Sequence, residues 1–257
     1  VQSFQPDVLD WMRRAHGAEK AEQVVLHAAA AGFDHLSLDL IYGVPVGKTD
    51  RWSEDVARAC ALPVDHMSCY ILTAEPKTRY GDQLSKGQIV APPDDSVVSE
   101  YGFLCKASQA AGFSHYEVSN FARPGGESQH NSAYWSGTPY LGIGPGAHSH
   151  RHTKRWWNGR SNARYMQTAE SQSLELQREE EVLLPTDQFN EALITGLRRA
   201  EGVDPNALLQ ASGLDVRAQS ALSNLLKKGH CEWHQGHLRI PEANWPMGDA
   251  ITLELMV

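Results

Sequence analysis

Two short runs constrain the fold of this chain more than any other feature: HLSLDLIYG (35–43) and DHMSCYILT (65–73). In the first, Leu36, Leu38 and Leu40 alternate with Ser37, Asp39 and Ile41, the period of two that marks a strand. In the second, Met67, Cys69 and Ile71 share one face, and His66, Ser68, Tyr70 and Leu72 share the other. Between them, Trp52, Val56 and Cys60 recur at the helical spacing of four, which predicts a helix over 51–61. Strand centres about 30 residues apart with a helix between them make a right-handed βαβ unit, whose strands are parallel and covered by helices. The leucine face should then pack outward on helices, with Ser37 and Asp39 pointing the other way. An Asp in such a strand is costly unless something pairs with it.

The flanking segments extend this α/β pattern. Residues 18–31 carry Ala21, Val24, Val25 and Ala28 as an amphipathic stripe, closed by Gly32. Pro92-Pro93-Asp94-Asp95 opens another helix, with Val97, Tyr101, Leu104 and Ser108 on one side and Gly112 at its end. HYEVSNFA (115–122) and YLGIGPGAHS (140–149) read as strands, TKRWWN (153–158) as a turn or hairpin tip, and LQREEEV (176–182) as an acidic link. Beyond it, TDQFNEALITGLRRA, PNALLQA and DVRAQSALSNLLKKG are helical, and CEWHQGHLRIP is hairpin-like. Three helices and a hairpin resemble a winged helix. The expected division is therefore 1–112, an extension over 113–175, and a helical winged-helix-like unit over 176–257.

Composition excludes several classes. A formal net charge of −8 argues against a broad nucleic-acid surface. No apolar run reaches the roughly 18–20 residues of a membrane-spanning helix, which leaves only peripheral membrane contact open. Cys60, Cys69, Cys105 and Cys231 show no CxxC or CxxxCxxC spacing, so they predict buried free thiols in a reducing, cytoplasmic setting. The start, VQSFQPDVLD, has neither an initiator Met nor a secretory apolar segment, and suggests a fragment or a processed chain.

Four motifs carry chemistry or imitate it. GVPVGKT (43–49) falls one residue short of a phosphate loop, and Pro45 removes one of the N–H groups that would cradle phosphate. GIGPGAH (142–148) reads equally as a tight turn or as backbone brought close to a cofactor. His148, His150 and His152 would share one face of a strand, where they could bind a transition metal, or stand as solvated side chains beyond its end. In HNSAYW (130–135), an imidazole able to ligate haem iron stands beside two aromatic faces able to stack on a macrocycle. A hydrogen-bonded structural histidine is the plainer reading.

In order, VQSF, SLDLIYGVP, DHMSCYILTAEPKT, HYEVSNFARPG, HNSAYW and YLGIGPGAHS resemble the radical S-adenosylmethionine family of HemN and HemW. The family comprises oxygen-independent coproporphyrinogen III oxidases and related haem chaperones. EVSNFARPG and HNSAYW look like the HemW branch. The resemblance runs from Val1 to about His150, and more loosely beyond. It implies the C-terminal part of a partial (β/α)6 barrel followed by the winged-helix-like unit. It implies S-adenosylmethionine held by Gln2, Arg14, Asp39 and Tyr70, with Gly144, Ala147 and His148 of the glycine motif lining the same site. It also implies haem at His130, Asn131, Tyr134 and Trp135, with His130 a candidate iron ligand.

The family's CxxxCxxC loop, which binds a [4Fe–4S] cluster, would lie before VQSF, so this chain carries no cluster ligands. The usual GLPGQT loop reads GVPVGK here, with Val46 in place of a glycine. The function implied is a chaperone that binds haem or porphyrin and passes it to recipient proteins. An electron donor would serve the parent, and no nucleic acid is a partner. The alternatives are a coproporphyrinogen oxidase acting by radical oxidative decarboxylation, and a non-catalytic fold in which these motifs only pack.

Overall fold

The computed structural model describes residues 1–47, 50–212 and 218–257, in two compact units, Val1–Glu127 and Ser128–Val257. Lys48 and Thr49 of the GVPVGKT loop, and residues 213–217 of the expected helix DVRAQSALSNLLKKG, lie outside the described residues.

The first unit runs α1 (Pro6–Trp11), α2 (Ala18–Ala30), β1 (Ser37–Tyr42), α3 (Arg51–Ala61), β2 (His66–Ile71), α4 (Arg79–Ser85), α5 (Asp94–Ala110), β3 (Ser114–Glu117) and β4 (Asn120–Ala122). Strands β1 and β2 are parallel, with Leu38 opposite Met67, Leu40 opposite Cys69 and Asp39 opposite Ser68. The βαβ unit therefore forms as the alternation demands. Leu38, Leu40, Met67 and Cys69 are buried under Trp52, Val56 and Ala59 of α3 and Tyr101 and Leu104 of α5. Burying a side chain such as Leu40 contributes about 2 kcal/mol.

The sheet order is β1-β2-β4-β3, and β4 joins β2 antiparallel. HYEVSNFA is thus a hairpin, not the single strand expected. The Glu117 carboxylate folds back to accept the Ser119 N–H (3.0 Å) and the Asn120 side-chain amide (2.5 Å), which turns the chain at Val118–Ser119. Helix α2 forms where its alanines favour it. Of its stripe Ala21 is buried, Val25 and Ala28 are half-buried, and Val24 is 58% exposed.

The second unit runs α6 (Gln129–Trp135), β5 (His148–Arg151), β6 (Lys154–Asn158), α7 (Asn162–Glu170), a 3-10 turn (Leu174–Gln177), β7 (Arg178–Val182), α8 (Pro185–Gly196), α9 (Pro205–Ser212), α10 (Ala218–Lys227), β8 (Glu232–His234), β9 (His237–Arg239), a second 3-10 turn (Glu242–Met247) and α11 (Gly248–Leu255). TKRWWN is a full strand, and the acidic run is not a link but β7, in a three-stranded antiparallel sheet β5-β6-β7. The acids pair because their partners across the ladder suit them. Arg155 lies opposite Glu181 and donates to it, and the Arg178 guanidinium lies 5.6 Å from the Trp156 ring centre.

Helices α8, α9 and α10 and the β8–β9 hairpin make the winged-helix-like part, with Val203 bridging Leu238 beside the wing. Its core holds Leu193, Leu197, Leu225, Leu238 and Ile240. Gly196 lets Val203 approach: a Cβ there would stand 2.0 Å from the Val203 Cγ1. No described helix is long and apolar enough to cross a membrane.

Candidate functional site

The face of the first unit's sheet that turns away from α3 and α5 is polar. Along it lie Ser37, Asp39, His66, Ser68 and Asn120, fixed by the register of β1, β2 and β4. His66 is buried between the Ser37 hydroxyl (2.8 Å from Nδ1) and the Tyr116 hydroxyl (2.7 Å from Nε2). Burial outweighs the surrounding carboxylates and holds its imidazole below the ordinary histidine range. Asp39 is exposed, as is Tyr70 at 45%.

Gln2, with φ +71°, bridges Leu40 through backbone bonds to Asp39 and Ile41, beside Asp39. Arg14 follows α1, its N–H donating to the Leu9 carbonyl (2.9 Å), and is exposed. The Asn120 side-chain oxygen is buried and has no hydrogen-bond partner among the described residues. A face with an exposed carboxylate, an exposed phenol and an orphaned amide oxygen fits a polar ligand rich in hydroxyl and amino groups, and S-adenosylmethionine is one.

An iron–sulfur cluster is not fitted by the thiols described. Cys69 is buried on the helix-covered face, and burial raises its thiol well above the ordinary range. Cys60 lies on α3, Cys105 on α5 and Cys231 in the second unit, all as free thiols. Nor is the GVPVGKT loop a phosphate cradle. The Gly43 N–H is taken by the Glu100 carboxylate (2.7 Å), and the Val44 carbonyl accepts from Arg51 (2.7 Å).

In the second unit, HNSAYW is a single short helix, α6, capped by the Ser128 hydroxyl, which accepts from the Asn131 N–H (3.2 Å). Rings run outward from it in series. His130 meets Tyr134 edge-on at 4.8 Å, Tyr134 meets Tyr140 at 4.4 Å, and Tyr140 meets His150 at 5.9 Å. Tyr134, Trp135, Tyr140 and His150 line a cavity of about 740 Å³, together with residues of α8 and His237 of β9. His130 is exposed, and neither it nor Asn131 lines the cavity.

Arg155 stands at the rim, donating to Glu181 and Glu191 at 2.7 Å each. Burial, followed by its neighbour Tyr134, raises the Tyr140 phenol above its ordinary value.

Gly144, Ala147 and His148 stand apart from that cavity, whereas His152 lines it. The Gly144 N–H donates to the Tyr165 hydroxyl (3.1 Å), and Asn158 donates to the carbonyls of Gly144 and Ala147 (3.0 Å each), which pins the glycine motif as a loop before β5. His148 stacks on Trp157 at 5.5 Å, and His152 sits in the β5–β6 turn with φ +56°. Among the described residues, His148, His150 and His152 do not bring their ring nitrogens together as a metal site. His237 and Arg155 were not foreseen, because nothing local in the sequence marks a residue that meets a cavity from a distant hairpin or sheet.

No family model matches the chain. It is 34% identical over 257 residues to the heme chaperone HemW of Mycobacterium tuberculosis, covering all of this chain and 64% of that protein. It is 32% identical over 231 residues to the heme chaperone HemW of Bacillus subtilis, 89% of this chain and 61% of that one. Among solved structures it is similar to coproporphyrinogen III oxidase (HemN) from Escherichia coli, a radical SAM enzyme, with a TM-score of 0.80 and 19% identity. That match covers 100% of this chain and 63% of that one, and it shows the fold. The chain thus spans under two thirds of the length of these relatives. It belongs to the radical S-adenosylmethionine family of HemN and HemW, on the HemW branch.

Proposed function

We propose that the protein binds haem in the cavity of its second unit and passes it to recipient proteins, as a chaperone. The observation that carries this reading is the wall formed by Tyr134, Trp135, Tyr140 and His150, aromatic faces and an imidazole on a cavity of about 740 Å³. Sites for flat organic cofactors are mostly apolar hollows of roughly 300–1,000 Å³ with a few placed polar groups. Stacking on the tyrosines holds the macrocycle by its faces, and the imidazole offers nitrogen to a metal at its centre. His130 lies behind Tyr134, where it orients the first ring of the series.

On the first unit, Gln2, Arg14, Asp39 and Tyr70 would hold S-adenosylmethionine. When that group is bound and reduced by an iron–sulfur cluster it supplies a 5′-deoxyadenosyl radical. The four cysteines described do not fit the cluster, and the chain's own contribution is to bind and orient the nucleoside.

The test is a haem titration followed by the Soret band, on the protein and on His130→Ala and Tyr134→Ala. Loss of the Tyr134 ring should weaken binding about three- to tenfold, the worth of one aromatic pair, and His130→Ala should weaken it less. Binding indifferent to both changes would remove the site from this cavity. No haem binding, with anaerobic turnover of coproporphyrinogen by a longer parent that carries the cluster and S-adenosylmethionine, would favour the oxidase.

A further inference from the structure

The haem reading leaves open how the cavity tells haem from other porphyrins, and the charges on its lining bear on that choice. We infer that the cavity admits a macrocycle by its carboxyl-free edge, and so takes haem and rejects rings that carry a propionate on every pyrrole. The inference rests on the haem reading of this cavity and adds the feature of the ligand that decides entry.

Beside the aromatic wall the lining is aliphatic at Leu183, Ala192, Val203 and Leu208, and Leu183 and Val203 are buried. Five charged side chains line the same cavity, Arg155 and Arg199 against Glu191, Glu201 and Asp204. Two positive charges against three negative ones leave a net charge of −1, counting histidine as neutral. The positive charge is already engaged. Arg155 donates to Glu191 and to Glu181 at 2.7 Å each, and Arg199 is paired with Glu201. Asp204 is turned to its own backbone, accepting from the N–H groups of Asn206 (3.0 Å) and Ala207 (3.2 Å) at the start of α9.

A carboxylate carried into this lining meets apolar groups and guanidiniums that are already neutralised, and burying a charge without a partner is costly. Haem avoids that cost by its shape. Its two propionates stand on neighbouring pyrroles, so the opposite edge of the ring bears only methyl and vinyl groups. That edge can lie against the aliphatic side chains, with Tyr134, Trp135 and Tyr140 beside the ring and both propionates left in water. Coproporphyrin III has a propionate on each of its four pyrroles, so every orientation turns carboxylates inward. The cavity then discriminates by what it lacks, a free counter-charge, which is specificity by exclusion.

The experiment titrates the protein with metal-free rings, followed by porphyrin fluorescence, so that iron ligation plays no part. Protoporphyrin IX and deuteroporphyrin IX each carry two neighbouring propionates, and coproporphyrin III carries four. The first two should bind within a few-fold of each other, and coproporphyrin III about tenfold more weakly or worse. Two variants test the charge account. Glu201→Gln keeps the shape of an exposed side chain, removes one negative charge and frees Arg199 to meet a carboxylate. Ile194→Lys puts a cation on the lining at a side chain that is 40% exposed. Each should narrow the gap between the two-propionate and four-propionate rings about threefold, and less so at high salt. Equal binding of coproporphyrin III and protoporphyrin IX by the unaltered protein, or a gap that neither variant narrows, overturns the inference and leaves the haem reading standing. Failure of the unaltered protein to bind any ring, ferric haem included, overturns the haem reading and this inference with it.

Discussion

Two histidines of the first unit pull its stability in opposite directions with pH. His66, buried between Ser37 and Tyr116, is held neutral, so its contribution is complete above the ordinary histidine value and fades as pH falls through the lowered one. His35 is raised, chiefly by its hydrogen bond to Asp65, so its contribution is complete below the ordinary value and fades as pH rises through the raised one. Urea unfolding between about pH 5 and 8 should therefore separate the two contributions on substitution. In His66→Gln the stability should fall as pH rises, and in His35→Ala it should fall as pH drops. Equal slopes in all three would refute the pairing. The exposed His35 was unremarkable in sequence, whereas His66 and Asp39 were legible as the polar side of an alternating strand. The partner Tyr116 was not, because the bulge between His115 and Glu117 shifts the face it serves.

Among elements, the hairpins decide the outcome. The βαβ unit could be read directly, since alternation and helical spacing signal position without reference to partners. The acidic strand β7 could not, because Glu is depleted in strands and only the Arg and Trp residues across the ladder make the pairing favourable. Arg155 is the hinge of that argument. Arg155→Ala should leave Glu181 and Glu191 beside the cavity without a counter-charge and weaken haem binding by repelling its propionates, with the effect shrinking as salt is raised. A salt-independent loss would assign Arg155 a packing role. In the winged part, Gly196→Ala should lower stability by about 1–3 kcal/mol, because the new methyl meets the Val203 side chain in a closed core. Denaturant unfolding with an unchanged midpoint would show that Val203 yields freely.

At the scale of the whole molecule, the chain is two units with separate chemistry: a polar sheet face in one and an aromatic cavity in the other. The family resemblance was legible because six motifs stand in register. The assembly of the cavity wall was not, since Tyr140, His150 and His237 come together only through a bridge, a strand and a distant wing. Gly142→Ala tests the loop between them. A Cβ there would stand 2.1 Å from the His148 carbonyl oxygen, which must displace the glycine motif. Haem binding by the protein should drop in consequence, because the loop joins Tyr140 to the strand that carries His150, and a Soret titration with unaltered affinity would detach that loop from the cavity.

The indole of Trp135 in the cavity wall has an optical consequence. Haem absorbs where indole emits, and transfer of excitation falls off steeply with separation, so a ring seated against Trp135 should darken it almost completely. The change in emission would then follow loading and release: stopped-flow emission, with Trp135→Phe giving the signal of the other six tryptophans to subtract, would time the hand-over of haem to a recipient without any label.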